Sequence, residues 1–307
     1  MSLSPRLHRA VDALAMRIED AVRRAPQAFR PGPGGPLDAF GPIPGVPAPA
    51  PPRWRFAVPP WGGPPGDEAL VHVFPPRGER RGTAILVPPW KTPPPALLRG
   101  WTALLSRQGL EVWLLVPPQH RGRTAPGARS GEGFVSNDLG ALRAALAETV
   151  REIRMLAAAA AARGPVGLVG LSLGALAAAH AATAPERLSF AALVAPPVDL
   201  ARVLAATPVG RRYRRLAEAA AAPLPSEAEL RALLAPLSPA SRAPTAARIL
   251  VAAGAHDAIV PPEVPEELAR AWGVEPRLYP RGHLTLIFAC RALRRAVAEL
   301  AHPGPSP

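Results

Sequence analysis

The sequence predicts an α/β fold, a mostly parallel central sheet flanked by helices on both faces, and three observations predict it. Short apolar or β-branched runs alternate with helical stretches along most of the chain. One such run, Val166 to Leu171, passes through a glycine-flanked serine straight into an alanine-rich helical stretch. The chain is also long enough, at 307 residues, to bury one large core and still carry an extension or an insertion.

The elements follow in order. Over residues 1–25, Leu7, Val11, Leu14, Ile18 and Val22 recur at spacings of three and four, the pattern of an N-terminal amphipathic helix. Arg6, Arg9, Arg17, Arg23 and Arg24 would suit an anionic lipid surface, but acidic residues share the polar face, which favours docking on the chain's own domain. Residues 26–66 are dense in proline and glycine and read as an extended linker that wraps a domain edge. The α/β domain occupies residues 67–303. Its strands are expected at Ala69 to Phe74, Thr83 to Val87, Glu111 to Val116, Val166 to Leu171, Phe190 to Val194, Arg248 to Ala253 and Glu275 to Tyr279. Its clearest helices are Asn137 to Ala162, Leu173 to Ala182, Glu263 to Trp272 and Leu284 to Leu300. Between Val194 and Arg248 lie roughly fifty residues of helical, proline-broken sequence, more than a crossover needs. A helical lid or cap insertion is expected there, at about 197–245.

Composition narrows the function. The formal charge is +13, yet all but one of the 36 basic residues are arginine, scattered along the chain, and Lys91 is the exception. No long run of like charge and no aromatic-basic interleaving appears, so nucleic acid is not the expected partner. The single cysteine, Cys290, permits no disulfide framework, and no metal-ligand spacing is present, so no metal or other cofactor is expected. Asp12, Arg17, Glu19 and Asp20 interrupt every candidate signal-peptide core, and a reducing cytoplasm is the expected setting. The long uncharged window from Gly164 to Thr183 is punctuated by glycine and serine as strand, turn and helix, not as a membrane span.

The chemistry gathers at three places. Gly170-Leu171-Ser172-Leu173-Gly174 lies between strand and helix, where a nucleophile must turn sharply and its neighbours must lack bulk. The Leu173 N–H then sits at a helix start, aimed at an oxyanion. A serine hydroxyl needs a base, and the base needs an orienting acid, in the order acid then histidine downstream. Asp257 follows the apolar run Ile249 to Ala253 and Gly254, at the end of the sheet where α/β sites lie, with Asp199 as the competing acid. His283 follows Gly282 and opens the last helix, with His120 as its rival.

Together the elbow at Ser172, the Gly254 to Asp257 spacing and Gly282-His283 before a terminal helix resemble the α/β-hydrolase superfamily, in its serine hydrolase branch, over about residues 69 to 301. The resemblance implies that Ser172 attacks an acyl carbonyl, that His283 takes and returns the proton, and that Asp257 holds the imidazole. Many members carry His-Gly and an oxyanion donor after the third strand, where this chain has Pro88-Pro89-Trp90. Proline has no N–H, so the second donor is the backbone of Trp90, or else of Lys91. The Trp90 indole is a candidate for lining an acyl pocket. His120-Arg121-Gly122-Arg123 resembles a loop that carries an Arg-Gly pair near the site entrance in relatives; it either braces the loop or, with His120 and Arg121 as candidate substrate contacts, lets Arg121 or Arg123 meet an anionic substrate, since the guanidinium suits carboxylate and phosphate.

The expected activity is cofactor-independent hydrolysis of an acyl ester or thioester through an acyl-enzyme. Two alternatives remain open at this point. One is acyl transfer by the same three residues, and the other is a noncatalytic scaffold held at a lipid surface by the N-terminal helix.

Overall fold

A computed structural model describes residues 4–20, 28–47, 49–58, 68–222 and 225–302. A mixed sheet of eight strands runs in the order β1-β2-β4-β3-β5-β6-β7-β8. The strands are β1 (Arg53–Ala57), β2 (Glu68–Phe74), β3 (Gly82–Val87), β4 (Leu110–Val116), β5 (Val166–Leu171), β6 (Phe190–Val194), β7 (Ile249–Gly254) and β8 (Arg277–Tyr279). β1 and β2 pair antiparallel, β2 joins β4 antiparallel, and every later pairing is parallel. The central strands β3, β5 and β6 are buried along their whole length, which is why they read as unbroken apolar runs without alternation.

The helices cover both faces. On one side α3 (Leu139–Ala161), α4 (Leu173–Ala181) and α8 (Glu263–Ala271) contribute Leu146, Ile153, Leu176 and Leu268 to the larger core. On the other, α2 (Arg99–Arg107), α9 (His283–Ala289) and α10 (Arg291–Ala301) supply Trp101, Leu105, Ile287, Leu293 and Val297. α3 begins where Asp138 accepts a hydrogen bond from the Ala141 N–H at 2.9 Å, satisfying one of the donors a helix start leaves over. α4 is buried on every side, so its sequence carries no amphipathic stripe.

Four features depart from the pattern read in the sequence. β1 falls inside the stretch expected to be linker; its buried Trp54 and Phe56 alternate with exposed Arg53, Arg55 and Ala57, but the run is short and proline-flanked. The expected strand from Glu275 begins only at Arg277. The expected single helix from Leu284 to Leu300 is two, α9 and α10, broken at Cys290, whose Sγ accepts the Leu293 N–H. No glycine or proline marks that break.

The fourth departure concerns α1 (Pro5–Asp20), which docks on α9 with a different face from the apolar stripe. Leu7 and Leu14 stay 44% and 58% exposed, whereas His8, Asp12 and Met16 are buried. Three polar backbone groups and a cavity wait beneath the helix, and these select its inner face. The side chain of Ile18, together with Val22, Arg23 and Arg24, lies outside the described residues, as do the linker positions 26, 27, 48 and 59–66.

The described part of that linker runs along α3. Arg143 donates to the Gly35 and Pro36 carbonyls at 2.6 and 3.0 Å, and Arg154 donates to those of Ala39 and Gly41 at 2.7 and 2.8 Å. Arginine forks thus satisfy backbone that forms no ladder of its own. Between β6 and β7, helices α5 (Leu200–Ala206), α6 (Pro208–Ala219) and α7 (Glu227–Leu234) occupy the stretch expected as a lid. Among the described residues no helix is long and apolar enough to cross a membrane.

Candidate active site

Ser172 turns between β5 and α4 with φ 52° and ψ −118°, a backbone conformation that an L-residue holds only when its surroundings enforce it. Both flanking glycines are sterically required. A Cβ on Gly170 would come within 2.5 Å of the Ala175 Cα, and one on Gly174 within 2.3 Å of the Val87 carbonyl oxygen. The second contact presses the start of α4 against the loop after β3.

His283 is the first residue of α9, and its imidazole reaches back over the sheet. Its Nε2 lies 2.9 Å from the Ser172 Oγ, and its Nδ1 lies 2.7 Å from the Asp257 Oδ2. An ionised carboxylate only accepts, so the Nδ1–H donates to Asp257 and the bare Nε2 accepts from the serine hydroxyl. The other oxygen of Asp257 accepts the N–H groups of Ile259 and Val260 at 2.8 and 2.7 Å, which fixes the carboxylate plane. Burial alone would lower the His283 pKa. The Asp257 carboxylate, by charge and by hydrogen bond, and the Asp12 charge outweigh it, so the imidazole is raised above its ordinary value of 6.5.

Ser172 and His283 line a cavity of about 240 Å³. Its walls are apolar: Met16 and Ala15 from α1, Pro89 and Trp90 after β3, Val209 from α6, Ile259, and Leu284, Ile287 and Phe288 from α9. Lys91 is the cation in this lining, its pKa lowered to about 8 by burial and by Arg212 and Arg129, against the opposing pull of Glu132. Val209 also borders a smaller apolar cavity of about 70 Å³ between α3 and the helical insertion.

The remaining candidates separate. Trp90 lines the cavity, and its indole N–H donates to the Gly131 carbonyl at 2.8 Å, which anchors the loop after β3. His120 does not line it. Its ring is buried, with Nδ1 at 2.8 Å from the Pro118 carbonyl and an edge contact to Phe134, and burial lowers its pKa to about 4. Arg121 is exposed and also lies off the cavity, its backbone N–H held by the Ser130 Oγ. Arg123 fastens that loop by ion pairs of 2.8 Å to both Glu148 and Glu152. Asp199 caps α5 through the Arg202 N–H instead of facing His283. Among the described residues, no three His, Cys, Asp or Glu side chains gather to hold a metal ion.

The sequence reading missed the contribution of α1. Ala15 and Met16 wall the cavity, and Asp12 bonds the backbone of His283. An acidic residue at the centre of a helix with an apolar stripe was the available signal.

An elbow serine, a histidine and an acid in hydrogen-bonded line on a mostly parallel sheet define an α/β-hydrolase fold. Residues 137–286, just under half of the chain, match the model of the family described as Serine hydrolase. No curated protein sequence matches it. Solved structures similar to it include an acetyl xylan esterase from Paenibacillus sp. R4, 16% identical with a TM-score of 0.54, the match covering 77% of this chain and 79% of that one. Acetyl xylan esterase 1 from Thermoanaerobacterium sp. JW/SL YS485 matches at 16% identity and a TM-score of 0.53, over 76% of this chain and 79% of that one. An esterase from Pyrobaculum calidifontis matches at 17% identity and a TM-score of 0.50, over 81% of this chain and 83% of that one. At such identities the likeness is one of fold.

Proposed function

We propose that this chain hydrolyses esters or thioesters of apolar acyl groups through an acyl-enzyme on Ser172. The observation that carries the reading is the line of hydrogen bonds from Ser172 through His283 to Asp257, at 2.9 and 2.7 Å, with Ser172 and His283 lining an apolar cavity. As Ser172 Oγ bonds to the carbonyl carbon, its proton passes to His283 Nε2, and Asp257 stabilises the imidazolium. The oxyanion accepts hydrogen bonds from the backbone N–H groups of Leu173 and Trp90. The carbon–oxygen or carbon–sulfur bond then breaks, and the proton moves from Nε2 to the departing alcohol or thiol. A water molecule, deprotonated by His283, attacks the acyl carbon, and the acid leaves as the proton returns to Oγ.

The cavity sets the scale of the acyl group. A cavity of about 150 Å³ accepts benzene. At about 240 Å³ this one suits an apolar group of moderately greater size, and six to ten carbons is the corresponding order of magnitude, on the order of one to two benzene volumes.

The test is hydrolysis of nitrophenyl esters and acyl thioesters by the wild type, Ser172→Ala, His283→Ala and Asp257→Asn. The first two substitutions are expected to lower kcat on the order of 10⁴-fold or more, and the third roughly 10³- to 10⁴-fold. Turnover that persists in Ser172→Ala would overturn the mechanism. Transfer products formed with added alcohols, at the expense of free acid, would reassign the activity to acyl transfer.

A further inference from the structure

Asp12 sits on the N-terminal helix, more than two hundred residues from the histidine in sequence, yet it is 0% exposed and faces three backbone N–H groups. Its Oδ2 accepts from His283 at 2.8 Å and from Ala258 at 3.3 Å, and its Oδ1 accepts from Leu284 at 3.0 Å. The first and third of these donors open the helix that carries the imidazole. The second belongs to the residue after Asp257. One carboxylate therefore ties together the two loops whose side chains must meet at 2.7 Å.

The surroundings are built around this contact. Position 282, immediately before the helix, is glycine and has no side chain with which to cap it, so the acceptors come from α1 instead. A Cβ on Gly282 would lie 2.7 Å from the Asp12 Oδ2 and 2.9 Å from the His8 carbonyl oxygen, so the absence of a side chain there is what lets α1 approach. One turn earlier, the His8 Nδ1 lies 2.8 Å from the Thr285 Oγ1, and the His8 ring stacks at 6.0 Å on His256, the residue before Asp257. Both loops are thus held twice from the same helix.

We propose that Asp12 is a positioning residue of the active site, clamping the Ala258 and His283–Leu284 backbones so that the imidazole stands between Asp257 and Ser172. The proposal rests on the hydrolase reading above. It makes α1 part of the catalytic unit, with two roles: Ala15 and Met16 bound the cavity, and Asp12 sets the base. Asp12 also acts through its charge, which together with Asp257 favours the imidazolium. The other ionisable groups about this junction are His8, His256 and Arg281.

The experiment uses the full-length protein and its Asp12→Ala, Asp12→Asn and Gly282→Ala variants. It reads the second-order rate of Ser172 labelling by a fluorophosphonate, kcat and KM on one ester, both as a function of pH, and thermal unfolding. Asp12→Ala is expected to lower the labelling rate and kcat by about 10- to 100-fold, as misplacement of a reacting group does, with KM changed far less. Asp12→Asn keeps one carbonyl acceptor, so it should recover part of the rate while the acid limb of its pH profile moves to lower pH. Gly282→Ala should resemble Asp12→Ala because it displaces the helix.

Folded Asp12 variants with the wild-type labelling rate and pH profile would overturn the proposal. So would a rate loss that only follows the loss of folded protein, with no pH shift in Asp12→Asn. A wild type that is not labelled at Ser172 would overturn the hydrolase reading and this proposal with it, whereas labelling indifferent to Asp12 overturns this proposal alone.

Discussion

Replacing Ala15 with leucine adds three carbons to the N-terminal helix at the wall of the cavity that Ser172 shares. Those carbons occupy space that the far end of a long acyl chain would fill. Each methylene denied burial costs about 0.8 kcal/mol, so three cost roughly 2.4 kcal/mol, or about 60-fold in kcat/KM for the longest acyl group the cavity accepts. An acetyl group, with two carbons, should be hydrolysed within about twofold of the wild-type rate, a difference under ~0.5 kcal/mol. The assay is kcat/KM on nitrophenyl esters from acetate to dodecanoate. The wild type is expected to rise with chain length and then fall, and Ala15→Leu to fall earlier by about three carbons, the number its side chain adds. An unchanged profile would refute the assignment of this cavity to the acyl group. A uniform loss that includes acetate would show that the substitution displaces α1 without shortening the pocket.

Four further outcomes follow from the site and its supports. The base must be neutral to accept the serine proton, and the His283 pKa is raised, so kcat/KM should fall on acidification with a midpoint above 6.5; a midpoint well below it would contradict the charge balance described. The linked stability has the same origin: the gain from protonated His283 is complete below its unfolded pKa and disappears as pH rises through the raised folded value, which denaturant titrations across pH would detect. Gly174→Ala places a Cβ 2.3 Å from the Val87 carbonyl oxygen, so the elbow must move; a cost of about 1–3 kcal/mol in urea unfolding and loss of Ser172 labelling are expected. Arg123→Ala leaves Glu152, 0% exposed, without that ion partner, and should cost about 3–5 kcal/mol by the same unfolding assay.

Ser172, Asp257 and His283 were legible because each obeys a local rule. The elbow needs small neighbours, the acid follows the end of β7, and the histidine opens a helix. The buried central strands were equally plain, since burial on both faces writes itself as an apolar run. What was hidden depends on contacts between distant parts of the chain. An acid in the middle of α1 marks Asp12 as unusual without naming His283 as its partner, and the leucine stripe of α1 pointed to the wrong face. His120 and Arg121 sit in a loop that follows a strand end as catalytic loops do, and only the ion pairs of Arg123 with Glu148 and Glu152 in α3 show why that loop is a brace. The break at Cys290 relies on its side chain accepting the Leu293 N–H, a choice that helical periodicity does not record.

Intact-mass analysis after incubation with a fluorophosphonate, followed by peptide mapping, tests the central claim most directly. The account predicts one adduct per chain, located on Ser172, absent from Ser172→Ala and formed far more slowly in His283→Ala. A folded wild-type protein that forms no adduct, or forms it at another residue, would contradict the account.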